Sequence, residues 1–327
     1  MRVGLVGVAG SGKTTVFGAM TGLHGAYGKA NLGVIKVPDP RIDRLSQICQ
    51  PKKTTFAEIA FADLPGDAWS QMREPDALVQ VVRAFAPPCD PLGEMRSFAT
   101  ELNLQDLILV DKRLDRLKKE KGKPREDVLL ARLKEHLEAD RPVRTAGLAP
   151  DESALFSGFR LLSEKPLLRV LNVDEQEVTR PAPPEVEALA REQGTPLMVL
   201  SGKVELEIAE LPAAEQVDFA ASLGLTEPAL GRFIRAAYAA LDLISFFTVG
   251  PDEVRAWTVP RDTRAQRAAG KIHSDLERGF IRAEVMRYED FEKLLTEAKC
   301  REAGKLRMEG KEYPVKDGDI LHVRFAV

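Results

Sequence analysis

The chain is 327 residues long, with 44% hydrophobic and 30% charged positions and a formal net charge of −3. That length supports two or three domains with buried cores. The small negative charge excludes a general electrostatic pull toward nucleic acid, leaving only local basic patches for that role. Cys49, Cys89 and Cys300 stand far apart and odd in number, which argues for reduced thiols rather than a disulfide framework. The scattered histidines have no metal-site spacing, and no apolar run is long enough to span a bilayer. The first strand runs straight into the motif described next, so no signal peptide is expected, and the expected location is the cytoplasm.

The apolar run Val3, Leu5, Val6 is followed by GVAGSGKTT over Gly7–Thr15. The pattern G-x-x-x-x-G-K-[ST] between a strand and a helix is the phosphate-binding P-loop. Gly7, Gly10, Ser11 and Gly12 let backbone N–H groups turn onto phosphate oxygens. Lys13 brings a point charge to the β- and γ-phosphates, the Thr14 hydroxyl can ligate Mg²⁺, and Thr15 follows in the first turn of a helix whose positive end faces the anion. A glycine-rich turn that binds nothing would not need Lys13 and Thr14 in this register. The next predicted strand, Phe56–Ala62, ends in Asp63-Leu-Pro-Gly66. In a P-loop switch protein Asp63 would hold Mg²⁺ through water, and the Gly66 N–H would sense the γ-phosphate. Asp67 is the candidate for polarising water. The competing reading turns it to solvent, because an acid there repels the γ-phosphate.

Asp76–Phe85 reads as a buried strand, broken by Pro87, Pro88 and Pro91. Leu107, Val110, Leu114 and Leu117 then recur at three- and four-residue steps. Gly122-Lys-Pro124 interrupts them, and Leu130, Leu133 and Leu137 resume the spacing. This is the pattern of an antiparallel helical hairpin with a coiled-coil seam, each arm about 25 Å long. Its tip carries Lys118, Lys119, Lys121, Lys123 and Arg125, either a solvated helical end or a probe for RNA phosphates. Strands resume at Pro166–Asn172 and Pro196–Ser201, so a parallel sheet is interrupted by the hairpin.

Base recognition in switch proteins uses Asn-Lys-x-Asp after such a strand, and here the place reads Asn172-Val-Asp-Glu175. Asn172 and Glu175 are expected at the base. Val173 stands where a lysine would pack over it, and Glu175 is one methylene longer than Asp, which weakens guanine selection and leaves room for adenine. Ser201-Gly202-Lys203 resembles the loop that closes over the base. From Leu243 onward, strand-like Phe246–Val249 and Val254–Val259 flank a Pro251-Asp252 turn. A helix over Ala265–Ile272 and a strand over Ile320–Phe325 complete a small β-grasp-like α+β pattern.

Taken together, these strings resemble the Obg-like ATPase (YchF) family over nearly the whole chain. The resemblance is carried by GVIKVPDPR (Gly33–Arg41), ELNLQDL (Glu101–Leu107), Asn172–Glu175 and EIAEL (Glu207–Leu211). It is carried most closely by EVRAWTVP (Glu253–Pro260), AGKIH (Ala269–His273), ERGFIRA (Glu277–Ala283), YEDF (Tyr288–Phe291) and VKDGD (Val315–Asp319). The last five are similar to that family's TGS domain. The resemblance implies an α/β P-loop NTPase G domain, a mostly parallel sheet with helices on both faces, over residues 1–95 and 163–242. A helical coiled-coil insertion over 96–162 interrupts it, and a TGS-like domain over 243–327 follows. It also implies binding of ATP at least as well as GTP, Mg²⁺ as cofactor, slow hydrolysis, and association of a monomer with the ribosome or RNA.

The sequence departs from the family pattern in three places. Ala9, Gly10 and Ser11 replace Pro, Asn and Val in the P-loop. Ala26–Asn31 lacks the switch I threonine. Switch II shrinks to Asp63–Met72, without the family's histidine. The switch losses keep open a binding module that does not hydrolyse, and the kinase-like string GSGKTT (Gly10–Thr15) keeps open a P-loop small-molecule kinase.

Overall fold

The computed structural model describes residues 1–23, 31–66, 68–119 and 124–326. In chain order its first part contains β1 (Arg2–Val6), α1 (Lys13–Thr21), β2 (Asn31–Lys36), α2 (Pro40–Cys49), β3 (Lys53–Thr55), β4 (Glu58–Asp63), α3 (Trp69–Met72), β5 (Ala77–Ala84), α4 (Pro91–Leu117) and α5 (Pro124–Glu138). There follow α6 (Pro150–Phe156), β6 (Leu167–Val173), α7 (Pro184–Glu192), β7 (Leu197–Leu200), α8 (Gly202–Glu210), α9 (Ala213–Ser222) and α10 (Ala229–Ala240). The last part holds β8 (Leu243–Thr248), β9 (Glu253–Pro260), α11 (Ala265–Ile272), α12 (Ser274–Arg278), β10 (Phe280–Arg287), α13 (Tyr288–Leu294), α14 (Glu297–Glu302), β11 (Arg307–Glu309) and β12 (Asp319–Phe325).

The chain divides into two compact units, residues 1–35 with 60–240, and residues 36–59 with 241–327. In the first, six strands form one sheet in the order β2-β4-β1-β5-β6-β7. β1 runs parallel to both β4 and β5, and β5, β6 and β7 are parallel in turn. β6 is buried along its whole length, as a strand covered on both faces must be, and this is why it reads as a continuous apolar run. The α/β class expected from the sequence is the one observed.

The long helix α4 is launched by Asp90, whose carboxylate accepts from the Gly93 N–H at 2.8 Å, with Pro91 at the first helical position. Its 27 residues span about 40 Å at 1.5 Å per residue. The first half lies on the sheet through Met95 and Leu102. The second half pairs with α5, and Val110, Leu117, Leu130, Leu133 and Leu137 close on one another with Phe156 and Leu161. These are the seam residues that the spacing predicts. The helix therefore starts in the sheet layer, ahead of the expected insertion boundary, and is longer than the expected arm. Asp106, fully buried, anchors its middle by accepting from the N–H groups of Leu162 at 2.8 Å and Ser163 at 2.6 Å.

The second unit has its own six-stranded sheet, ordered β11-β10-β12-β8-β9-β3. β8 and β9 form the expected antiparallel hairpin, and α11 covers a core of Ile244, Phe246, Val259 and Val285. The segment 36–59 joins this unit, whereas the sequence reading gave it to the P-loop part. β3 adds a parallel edge to β9, Thr55 donates to Glu253 at 2.6 Å, and Arg41 ion-pairs with Asp317 at 2.7 Å.

Candidate nucleotide site

The loop between β1 and α1 encloses the space above the α1 N-terminus. Gly12 has φ 82° and ψ 15°, the left-handed region, where a side chain is strained. A Cβ at that position would also strike the Asn172 side-chain amide. Across the loop, the end of β4 brings Gly66 against Gly7, so that a Cβ on Gly66 would lie 2.9 Å from the Gly7 carbonyl oxygen. The two glycine motifs of the sequence thus meet face to face.

Between them sits Asp63, 4% exposed. The Thr14 hydroxyl donates to Asp63 Oδ2 at 3.0 Å, and Asn31 Nδ2 donates to the same oxygen at 3.3 Å. Lys13 Nζ lies 3.4 Å from Asp63 Oδ1 and donates to the Leu64 carbonyl. Asp63 Oδ1 is buried and accepts no hydrogen bond among the described residues. A hydroxyl beside a carboxylate whose buried Oδ1 is held only by the Lys13 ion pair and by no hydrogen bond is a hard-oxygen pair, the donor set that Mg²⁺ takes, so these residues fit the ion.

The cleft over this loop has a volume of about 690 Å³ and is lined by Gly7–Thr15, Asp63–Gly66 and Phe85. Gly10, Ser11, Thr15 and the other P-loop residues predicted from sequence all border it. Phe85 was missed as a site residue. It terminates a strand that reads as core, and only its place just before the prolines could have drawn attention to it. Asp67, the water-polarising candidate, lies outside the described residues, as does the segment 24–30 that covers most of the expected switch I.

On the opposite side, Asn172 at the end of β6 is 4% exposed. Its Nδ2 donates to the Ser11 carbonyl at 2.9 Å, and its Oδ1 accepts from the Gly202 N–H at 2.8 Å. The side chain therefore ties the P-loop to the start of α8. Ser201, 2% exposed, precedes that helix. Val173 is buried in the core against Ala182 and Val186. Glu175 is exposed and ion-paired with exposed Lys203, so the two loops expected around the base are bridged there. That hydrogen bond holds the Lys203 ammonium above the usual lysine range.

The basic residues of the hairpin tip, read from sequence as a solvated end or an RNA probe, and the arginines of the second unit are partly engaged. Lys118 pairs with Asp115 at 2.9 Å, and Arg125 pairs with Asp151; Lys121 and Lys123 lie outside the described residues. In the second unit Arg255 stacks on Trp257 at 4.0 Å, Arg261 pairs with Asp242 at 2.7 Å and Arg264 with Glu312 at 3.8 Å. Exposed pairs of this kind are weak enough to exchange for a phosphate.

Residues 243–326 match the family YchF-GTPase_C, described as a protein of unknown function (DUF933). The chain is similar to the ribosome-binding ATPase YchF of Bacillus subtilis, 38% identical over 100% of both chains. It is 37% identical to the ribosome-binding ATPase YchF of Haemophilus ducreyi, over 100% of this chain and 99% of that one. Among solved structures, the Schizosaccharomyces pombe YchF GTPase superposes with a TM-score of 0.88 at 29% identity, covering 99% of this chain and 97% of that one. A GTP-binding protein from Pyrococcus horikoshii, at 17% identity and a TM-score of 0.62, shares the fold. No described helix is long and apolar enough to cross a membrane.

Proposed function

The chain belongs to the YchF family, and from that premise and the geometry of its cleft we propose that it is a nucleoside-triphosphate-binding switch protein. It binds ATP or GTP, hydrolyses it slowly with water as nucleophile, and associates with the ribosome in the cytoplasm as a monomer. One observation carries the reading: Lys13, Thr14 and Asp63 converge where Gly66 meets Gly7. Backbone N–H groups of Gly10–Thr14 and the N-terminus of α1 receive the β- and γ-phosphates. Lys13 exchanges its Leu64 and Asp63 contacts for phosphate oxygens. Thr14 and Asp63 would hold Mg²⁺, which when bound neutralises charge on the β- and γ-oxygens. Gly66 offers its N–H to the γ-phosphate, so the Asp63–Gly66 segment reports on the third phosphate.

Around this site, residues 1–35, 60–95 and 163–242 act as the G domain, 96–162 as a coiled-coil insertion, and 243–327, with 36–59 packed into the same unit, as a TGS domain. Asn172 holds the base loops in place, and Glu175 with Ser201 and Gly202 borders the base. Asp67 keeps its sequence-based candidacy for polarising water. The cations of the hairpin tip and of the C-terminal unit face ribosomal RNA. Single-turnover assays with labelled ATP and GTP test the chemistry. Phosphate release is expected; its absence would leave a regulatory binding module, and transfer only to an added acceptor would mean a kinase. Co-sedimentation with ribosomes across a salt series tests the partner, with binding expected to fall steeply as salt rises.

A further inference from the structure

A second cavity, of about 780 Å³, opens from the phosphate end of the cleft. It shares Gly7, Val8, Ala9 and Gly66 with the nucleotide cleft, so the two adjoin along the P-loop start and the Asp63–Gly66 turn, beside the proposed γ-phosphate position. One wall is the first three turns of α4, which present Glu94, Ser97, Phe98 and Glu101. Trp69 and Phe98, with ring centroids 6.3 Å apart, make part of the lining apolar.

We propose that Glu94 is the general base for triphosphate hydrolysis, receiving the proton of a water held in this cavity. The proposal rests on the nucleotide-hydrolysis reading above. In the step, the water oxygen bonds to the γ-phosphorus while the bond from that phosphorus to the bridging oxygen breaks. The electron pair of the broken bond stays on the β-phosphate of the departing nucleoside diphosphate. One water proton passes to the Glu94 carboxylate and later to solvent, leaving inorganic phosphate.

Glu94 is selected over its neighbours by what each side chain is already doing. Asp90 spends its carboxylate on the Gly93 N–H. Glu101 accepts from Gln105 at 3.0 Å and lies two turns further along α4. Arg83 directs its guanidinium to the carbonyls of Phe85 at 3.2 Å and Ala86 at 2.7 Å. Cys89 is exposed in the loop before the helix. Glu94 uses Oε2 to accept the Arg83 N–H at 3.0 Å, and its other oxygen has no partner among the described residues.

Its backbone is held firmly. Gln80 donates to the Glu94 carbonyl at 3.2 Å, and the fully buried Arg169 donates to the Met95 carbonyl at 3.3 Å. Half-burial raises the Glu94 carboxyl above the usual range, against the lowering effect of the Arg83 N–H. A γ-phosphate nearby raises it further, toward the pH where a base works best. The repulsion that disfavours a bystander acid therefore strengthens this one as a proton acceptor.

The test compares full-length wild type with Glu94→Gln, which keeps the size of the side chain and an oxygen for the Arg83 N–H. Calorimetry with ATP and Mg²⁺ is expected to give affinities within about twofold, showing an intact fold and cleft. Single-turnover hydrolysis is expected to slow by about 100-fold, within the usual range for a general base. The wild-type rate should rise with pH through the Glu94 ionisation, with Arg83, Asp90, Cys89 and Glu101 the other titratable groups lining the cavity; the variant should lose that limb. In Glu94→Ala, added formate should restore part of the rate. An unchanged rate or pH profile in a Glu94→Gln protein that binds ATP normally overturns the role of Glu94 and leaves the hydrolysis reading standing. No hydrolysis by wild type overturns both.

Discussion

At the phosphate end of the cleft, Asp63 is 4% exposed and is contacted by Lys13, Thr14 and Asn31, with two glycine loops touching above it. At the base end, the corresponding acid, Glu175, stands in solvent and is held by Lys203, itself exposed. The first end is preorganised in low dielectric, where charge placement is worth most; the second is screened. On the proposed reading, binding energy is concentrated on the part of the ligand that ATP and GTP share, and little is committed to telling them apart.

The largest effect expected from this contrast is at Lys13. Lys13→Ala removes a charge from the phosphates without touching the core, and should weaken triphosphate affinity by on the order of 100-fold, about 2.7 kcal/mol. The variant should still unfold cooperatively, with Tm lowered by the loss of the buried Lys13–Asp63 pair. Calorimetry showing unchanged ATP affinity in the folded variant would remove the P-loop from the binding site.

Asn172 comes next, because it joins the two ends. Asn172→Ala leaves the Ser11 carbonyl and the Gly202 N–H without their partner, and an unmade buried bond costs about 1–3 kcal/mol. Stability should fall by that amount and affinity by about tenfold, equally for ATP and GTP, since a tie between loops serves both nucleotides. A change in the ratio of the two affinities would mean that Asn172 touches the base directly.

Much of this was legible from residues alone, for identifiable reasons. A P-loop is written in backbone conformation, and Gly12 declares that conformation locally. The buried strands β5 and β6 and the leucine seam of α4 with α5 are periodic signals within single segments. What escaped depends on contacts between distant segments. β3 is only three residues long and exists because β9 offers it an edge. Val173 fills the place of a base-stacking lysine in the alignment of motifs, yet the strand's alternation turns it into the core. The hairpin-tip cation Arg125 found an acid on α6, 26 residues away. Phe85 reads as the end of a strand and Glu94 stands outside every predicted element; they become cleft and cavity walls only once β5 and α4 pack side by side.

The base-side loop can also be probed through the helix that carries it. Glu205 on α8 is 3% exposed, accepts the Ala229 N–H at 2.7 Å, and has its carboxyl raised by burial. A carboxyl raised in the folded state stabilises most below its unfolded value and loses that contribution as pH rises through the folded value. Wild type should therefore lose stability from about pH 4.5 upward relative to Glu205→Gln. The difference should read as about 2–4 °C in Tm for each kcal/mol. A gap between the two proteins that stays constant from acid to neutral pH would place the raised ionisation elsewhere.

The smallest effect is expected where the comparison is most exposed to refutation, at Glu175. An acid that selects guanine must hold both oxygens against the N1 and N2 donors of the base, shielded from water; otherwise the pair gains little over hydration. Glu175 meets neither condition: it is open to solvent and already paired with Lys203. Breaking that pair frees the carboxylate but does not bury it. Glu175→Ala should accordingly change the ratio of ATP to GTP affinity by less than about threefold, well under 1.4 kcal/mol. Wild type itself should show a weak preference or a tilt toward ATP. Competition between the two nucleotides for the wild-type and variant sites decides the matter. A wild-type preference for GTP of about 100-fold, abolished by Glu175→Ala, would mean that nucleotide draws Glu175 off Lys203 and closes the loops around the base, making the base end as selective as the phosphate end is strong.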